Sequence, residues 1–482
     1  MSEGKNTVGR SRSAIIWSFL EKIMKRGVSF VVSMFLARLL SPSDFGLVAM
    51  VGFFTVIASV FADLGIGQAL VQKKNVTDIQ YSTVFYINVF LGVFIYFTLW
   101  GAAPYISKFY GEDIIVEIVR LSAFSFIINS FVAVPSAILF KDLKIKYFAY
   151  SMVVSNVLSG GLSVIMAYKG WGVWSLVWYG LSGTVIKVTM LWIISKWVPL
   201  FRFSIYSIKD IWKTALGFLN IGIINKVLEG LDSLFIGKVF NMAQLGFYNR
   251  AKALYELPMY TFLTPITRPF FPIFAKIQDE LGEQRRKFYN TVEMLNFITL
   301  LGFGLLFILA KNWIVILYSD KWLESVAYFK VLIILIPFYP FNLLSTSLFK
   351  GNGKLKLLTI ITAIDRAAVI FALIFGLKYG LLEFVYAFVV YKIFVFVFRI
   401  FFVQKYLKIS SMVVVVSLVK MILVFIVIAV PLHYLNISNI YIETIVKTLI
   451  FSVSYMLIGY MFQIEGLLIL YKELKNLLFS KK

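Results

Sequence analysis

The stretch Ile15–Leu36 reads IIWSFLEKIMKRGVSFVVSMFL, and it is long and apolar enough to cross a bilayer. Glu21, Lys22, Lys25 and Arg26 lie inside it. At about 1.5 Å rise per residue, Arg26 falls roughly 18 Å past Ala14, near mid-membrane if the span opens there. On insertion scales each such charge costs about 2.5–3.5 kcal/mol at a helix centre, and each Leu, Ile or Phe returns about 0.3–0.6 kcal/mol. The apolar residues barely offset the charges, so this helix is not expected to face lipid all round. Lys22, Lys25, Ser29 and Ser33 recur at spacings of three and four, with Arg26 beside them, which makes one face polar. A cationic face on a membrane helix predicts a watery cavity that receives an anion. The competing reading starts the span near Gly27 and lays residues 14–26 flat on the membrane as a basic interfacial helix. Against it, Gly27–Leu40 is too short to span.

The rest of the chain has the same character. Of 482 residues, 60% are hydrophobic and 15% charged, against roughly 45–50% apolar and 25% charged in soluble domains. Apolar runs recur from end to end, which predicts an all-α polytopic membrane protein of about fourteen transmembrane helices. The expected spans are 14–36, 45–68, 82–104, 115–140, 147–168, 174–196, 212–239, 246–274, 288–310, 325–349, 357–377, 381–403, 411–431 and 443–462. Barrel strands would alternate apolar and polar residues, and these runs do not. No small-residue cleavage site follows the first apolar run, so that span is expected to be retained.

A net charge of +23 raises the question of nucleic acid. The basic residues instead cluster in alternate connections: Lys73 and Lys74, Lys141–Lys146, Arg202–Lys213, Lys276–Lys287, Lys350–Lys356, Lys405–Lys408 and the last residues. That is the positive-inside pattern, and it places both termini in the cytoplasm. The chain has no cysteine, a single histidine (His433, read as part of a short loop) and no GxxxxGK[ST] phosphate loop. Cysteine or histidine catalysis and direct ATP hydrolysis are therefore not expected. No connection is long enough for a soluble catalytic domain, so no enzymatic activity is expected.

The chain also resembles itself at an offset of about 200 residues. ARLLSPSDFG (Ala37–Gly46) aligns with GKVFNMAQLG (Gly237–Gly246), Leu139–Lys141 with Leu348–Lys350, and Trp171–Gly172 with Tyr379–Gly380. Six spans separate the copies, so they share an orientation and are related about the membrane normal, and repeats of this kind usually hold substrate at their interface. The expected organisation is two six-helix lobes, 1–205 and 206–408, followed by two extra helices and a tail in 409–482. The offset lays Arg26 on Lys226 and Ser33 on Ser233. Span seven carries Lys226, Glu229 and Asp232, so both related helices bring charge into the membrane. Local pairs such as Lys226 with Glu229 and Glu21 with Lys25 are the alternative use of these charges.

Further charges fall inside expected spans. Asp63 lies in span two; Arg250, Lys252, Glu256 and Arg268 lie in span eight, where Pro258, Pro265, Pro269 and Pro272 predict kinks. Arg250 and Lys252 fit either a cavity or snorkelling at an interface, and Arg268 either a gate or a headgroup anchor. Asp365 and Arg366 are read as a self-neutralising pair, Lys187 and Lys392 as cavity residues, and Arg120, Glu293, Lys330 and Arg399 as interfacial.

Phe45–Leu47, ADLGIGQALVQ (Ala62–Gln72), YNRA (Tyr248–Ala251), PITRPFFPIFAKIQD (Pro265–Asp279) and Ser319–Trp322 resemble the Wzx-type polysaccharide flippases. These belong to the multidrug/oligosaccharidyl-lipid/polysaccharide exporter (MOP) superfamily, and the segments look most like its colanic and teichuronic acid exporter branch. The resemblance implies a two-lobed V-shaped fold working by alternating access in a bacterial cytoplasmic membrane. It implies undecaprenyl-pyrophosphate-linked oligosaccharide as substrate, carried from the inner to the outer leaflet. It also implies no cofactor beyond coupling to a proton or sodium gradient, and partnership with membrane lipids, a polysaccharide polymerase and assembly proteins. On this reading Lys22, Lys25, Arg26, Lys226, Arg250 and Arg268 attract the pyrophosphate by charge-assisted hydrogen bonds. Glu21, Asp63, Glu229, Asp232 and Asp365 balance charge or carry the coupling ion. The alternatives are a multidrug exporter of the same fold, a membrane polymerase or glycosyltransferase, and a non-transporting scaffold.

Overall fold

The computed structural model describes residues 24, 26–63, 66–73, 75–204, 230–376, 378–408, 411–435 and 437–479. Over these residues the chain is helical throughout. Ten helices are long and apolar enough to cross a membrane, or eleven if the pair Ile114–Asn129 and Ala133–Lys141, bent by 42°, forms one broken span. The chain is thus an all-α polytopic membrane protein. It divides into two compact units, Met1–Asn249 and Arg250–Lys482.

In the first unit, helix 26–39 breaks at residues 40 and 41 and resumes as Pro42–Asp63. Ser41 and Asp44 close the break, the Ser41 amide and hydroxyl donating to Asp44 Oδ2 at 2.9 and 2.7 Å. The same helix–break–helix returns 200 residues later as 230–239, a break at 240 and 241, and Met242–Pro258. There Asn241 Oδ1 accepts the Gln244 amide at 2.8 Å. The two turns also pack reciprocally. A Cβ on Gly46 would sit 1.8 Å from the Met242 carbonyl oxygen, and one on Gly246 would sit 2.0 Å from that of Pro42. Equivalent residues exchange places in this contact, as a local two-fold requires. Only glycine lets the two backbones approach this closely.

Asp78–Tyr110 opens on a capping box, Thr77 with Gln80, which satisfies two of the orphan amides of the first turn. It packs lengthwise on Ile114–Asn129, and Ile145–Tyr168 packs on Val173–Ser195. The chain after Ser195 is tied back to Asp78–Tyr110: the Leu200 amide donates to Ser82 Oγ at 2.8 Å and the Ser204 amide to Thr83 Oγ1 at 3.1 Å.

In the second unit, the proline-rich segment is broken, as its composition predicts. Met242–Pro258 passes into a π-helical turn, Met259–Leu263, then Thr264–Thr267, a turn at Arg268 and Pro269, and Phe270–Lys276. Proline removes backbone donors here, and the wider π turn re-registers the helix. Leu281–Ile308 is the hub of this unit. It packs against Tyr339–Gly351, Ser411–Tyr434, Ile440–Met461 and Glu465–Phe479.

Candidate substrate pathway and buried charges

Helix 26–39 turns its polar face inward at Ser29. The Ser29 hydroxyl lies 3.3 Å from Asn156 Oδ1, and the Tyr179 hydroxyl donates to the same oxygen at 3.1 Å. One turn on, Val32 seats against Gly160. This face therefore meets the Ile145–Tyr168 and Val173–Ser195 helices rather than lipid. Arg26, one turn before Ser29, is exposed. Glu21, Lys22, Lys25, Lys226 and Glu229 lie outside the described residues, and Asp63 closes the Pro42–Asp63 helix.

Asp232 is 4% exposed and accepts the Tyr248 hydroxyl at 2.8 Å, with the Ser233 amide on its other oxygen at 2.8 Å. Tyr248 belongs to the YNRA segment and is itself buried. Lys187 is half-buried and donates to Asn129 Oδ1 at 2.9 Å. Lys238 donates to the Phe109 carbonyl and stands over its ring at 4.9 Å, a cation at a helix C-terminus, where the dipole favours it.

In the second unit Arg250 lies within electrostatic reach of the buried Tyr318. Arg268 is exposed at the proline turn. Asp365 does not pair with its neighbour Arg366. Adjacent helical residues point about 100° apart, and Asp365 instead takes Lys392, at 2.8 Å, from the facing helix. Lys392 is thus an ion-pair member, not an isolated cavity residue.

Two of the residues expected at the interface are interior. Arg399 is 6% exposed and its Nη1 donates to the Asn342 carbonyl (2.9 Å), Ser345 Oγ (3.2 Å) and Thr346 Oγ1 (2.8 Å). Those acceptors lie on Tyr339–Gly351, and they allow a guanidinium to be buried where an unbonded charge would be expelled. Glu293 is 1% exposed and accepts the Ser417 hydroxyl. By contrast Lys330 is exposed, and the Arg120 guanidinium stacks 4.1 Å from the Trp100 ring centroid. His433 falls in the last turn of Ser411–Tyr434 rather than in a loop.

A further buried network had no expectation attached to it. Glu443 pairs with Lys447, one turn on, and Asn312 donates to Glu443 Oε2 and to Thr444 Oγ1, both at 3.0 Å. The Glu-to-Lys spacing of four is visible in the sequence. The Asn312 bridge, which spans 131 residues, is not.

Residues 35–327, more than half of the chain, match the family model described as polysaccharide biosynthesis protein. The chain belongs to that family. It is 29% identical over 286 residues to the teichuronic acid biosynthesis protein TuaB of Bacillus subtilis, covering 58% of each chain. It is 23% identical over 316 residues to the lipopolysaccharide biosynthesis protein WzxC of Escherichia coli, covering 64% of this chain and 63% of WzxC. The matches thus span less than two thirds of either relative. Among solved structures, the lipid II flippase MurJ in an inward closed conformation superposes with a TM-score of 0.72 at 15% identity. That match covers 93% of this chain and 98% of MurJ. An inward-facing multidrug resistance MATE transporter of the MOP superfamily gives 0.62 at 16% identity, over 82% of this chain and 98% of the transporter. The chain therefore shares the fold of these two proteins. The chain is thus a multi-pass membrane protein of the polysaccharide biosynthesis family.

Proposed function

We propose that this protein is a flippase for undecaprenyl-pyrophosphate-linked oligosaccharide, moving repeat units from the inner to the outer leaflet for surface polysaccharide assembly. Fourteen spans, in two six-helix lobes (1–205 and 206–408) plus two further helices (409–482), alternate access around a cationic cavity, with both termini in the cytoplasm of a bacterial inner membrane. The observation that carries this reading is the inward face of helix 26–39. Ser29 bonds to Asn156 and approaches Tyr179, and Arg26, one turn earlier, is exposed. Charged residues inside membrane spans face the bundle interior or a water-filled cavity and mark substrate paths.

Lys22, Lys25, Arg26, Lys226, Arg250 and Arg268 receive the pyrophosphate and neighbouring sugars. Glu21, Asp63 and Glu229 balance their charge, while Asp232 and Asp365 are held by Tyr248 and Lys392. The repeat relates Arg26 to Lys226 and gives the anion two cations of common origin. Transport is driven only if substrate binds the inward and outward states with different affinity. The coupling ion is a proton or sodium. Lipids and a polysaccharide polymerase with its assembly proteins are the partners.

Arg26→Ala and Lys226→Ala are each expected to abolish surface polymer at unchanged protein level, scored by polymer staining and immunoblot in a strain lacking the native gene. Wild-type polymer output from both variants defeats the assignment. The likeness to a MATE transporter supports a second reading, export of cationic drugs. A raised drug tolerance on overexpression, with no change in polymer, would select it.

A further inference from the structure

The second unit holds a carboxyl group that the proposed substrate path does not use. Glu293 lies about 9 Å beyond Lys287 along Leu281–Ile308, at about 1.5 Å per residue, and is 1% exposed. Its Oε2 accepts the Ser417 hydroxyl of Ser411–Tyr434, and its Oε1 is buried without a hydrogen-bond partner. One turn further, on the same face, Asn296 is also 1% exposed, and neither its Oδ1 nor its Nδ2 is hydrogen-bonded. The last helix closes the pocket, with Gly466 lying against the Glu293 backbone. Among the described residues Glu293 belongs to no ion pair.

Among the described residues, the ionisable groups acting on Glu293 are few. Tyr289, on its own helix, lies within hydrogen-bonding reach, and Glu465 of the last helix and Lys420 of Ser411–Tyr434 act on it electrostatically. Lys420 is exposed. Ile440–Met461 brings Tyr455, whose hydroxyl donates to the Phe297 carbonyl at 3.1 Å.

An ionised carboxylate accepts hydrogen bonds and donates none. The Tyr289 hydroxyl is on Glu465, so Glu293 Oε1 is then a buried acceptor with no hydrogen bond. Burying that charge unpaired carries a penalty of several kcal/mol. A proton on Oε1 removes the charge. A route for it is also present: the Tyr289 hydroxyl donates at 2.8 Å to Glu465, which is exposed to water.

We propose that Glu293 is a proton-binding site that exchanges with water through Tyr289 and Glu465. Glu465 takes a proton from hydronium, and the Tyr289 hydroxyl turns from Glu465 to Glu293 Oε1. Glu465 then passes its proton to the Tyr289 oxygen as Tyr289 gives its own to Oε1, which leaves Tyr289 donating to Glu465 as before and one proton moved from bulk water to Glu293. The site joins Leu281–Ile308 to Ser411–Tyr434 and Glu465–Phe479. Its protonation state therefore sets how tightly these later helices hold the hub.

The test needs no substrate. The full chain in liposomes is titrated while infrared difference spectra are recorded in the carbonyl region of protonated carboxyl groups. A single buried-carboxyl band that rises at acidic pH and falls at alkaline pH is expected. Glu293→Gln should lose it, Ser417→Ala should shift it by removing one hydrogen bond, and Tyr289→Phe should slow its appearance after a pH jump. A titrating band that survives in Glu293→Gln, or one unmoved by Ser417→Ala, overturns the assignment. So does a wild-type band that never titrates. Loss of the band on adding sodium at constant pH would make this a metal-cation site instead. Should Glu293→Gln fail to fold, Ser417→Ala and Tyr289→Phe still decide the matter.

Discussion

The Ile145–Tyr168 helix buries Ser151, Ser155, Ser159 and Ser163 at a constant spacing of four. The first three hydroxyls bond to carbonyls of their own helix, at 2.8, 2.9 and 3.4 Å, and Ser163 reaches the Ser175 carbonyl at 2.7 Å. In the second unit the buried polar groups are larger, frequently charged, and bonded across helices: Arg399 to Tyr339–Gly351, Asn312 to Glu443 and Thr444, Asp365 to Lys392, and Glu293 to Ser417. Ser151, Ser155 and Ser159 carry their hydrogen bonds with them into any packing arrangement, and the stripe lets two helices close tightly. The second arrangement is complete only when the correct neighbour is in place. One helix pair is glued by small size, the other by partners, and a protein that must change state can release the second kind.

The sharpest way to break this contrast is to remove acceptors while leaving a charge behind. Ser345→Ala with Thr346→Val strips two of the three partners from the Arg399 Nη1. Leaving a buried charged donor unsatisfied should lower stability by about 3 kcal/mol. Arg399→Met, which takes away the charge and keeps the stem, should stay within about 1 kcal/mol of wild type, because apolar replacement of buried charge is often neutral. Unfolding in mixed micelles reads both. If the arginine variant proves the more damaging, the guanidinium is contributing net stability and the contrast is wrong at its strongest point.

Asn312→Ala comes next. It leaves Glu443 with Lys447 but cuts the bridge between Ala310–Tyr318 and Ile440–Met461. A loss of about 1–2 kcal/mol is expected for two side-chain bonds inside the protein, with proteolysis increasing near residues 435–440 before the rest. A global loss with no local signature would place Asn312 in a common core rather than at a releasable seam.

These two sites also mark where sequence reading stopped. The helical class, the apolar runs, the proline break and the matched turns at Gly46 and Gly246 follow from composition, spacing and a 200-residue offset, all of which are local or repeated properties. That the first helix does not face lipid all round was legible from its polar residues, but the seat of Ser29 against Asn156 and Tyr179 was not. The fate of Arg399 was not, since its acceptors lie more than 50 residues away and are ordinary serine, threonine and carbonyl groups. Spacing identifies the face on which a charge lies. Tertiary packing decides whether that face meets lipid headgroups or a ring of acceptors, and it gave Lys392, not Arg366, to Asp365.

The Asp365–Lys392 pair tests the same contrast at lower amplitude. Its side chains keep 29% and 24% of their exposure, so water shares the interaction. A double-mutant cycle of Asp365→Asn and Lys392→Met should give a coupling of about 1 kcal/mol, between the values of exposed and buried pairs. It should shrink in high salt if water reaches the pair. A coupling above this range that ignores salt would mean a dry pair.

The smallest effect is expected from the serine stripe. Ser155→Ala removes a hydroxyl that bonds only to the Met152 carbonyl, which is already part of the helical ladder. No donor or acceptor is left stranded, and the alanine methyl fits where the serine Cβ was. The change should lie within about 0.5 kcal/mol, the range of substitutions away from any special feature. Ser155→Val is the matching control: it keeps the position apolar but adds bulk at a 3% exposed site facing another helix. Overpacking should then cost about 1–3 kcal/mol. If alanine and valine behave alike, close approach is not what the stripe provides. If alanine is as costly as the Thr346 change, hydrogen bonding by the stripe is as dependent on neighbours as that of Arg399.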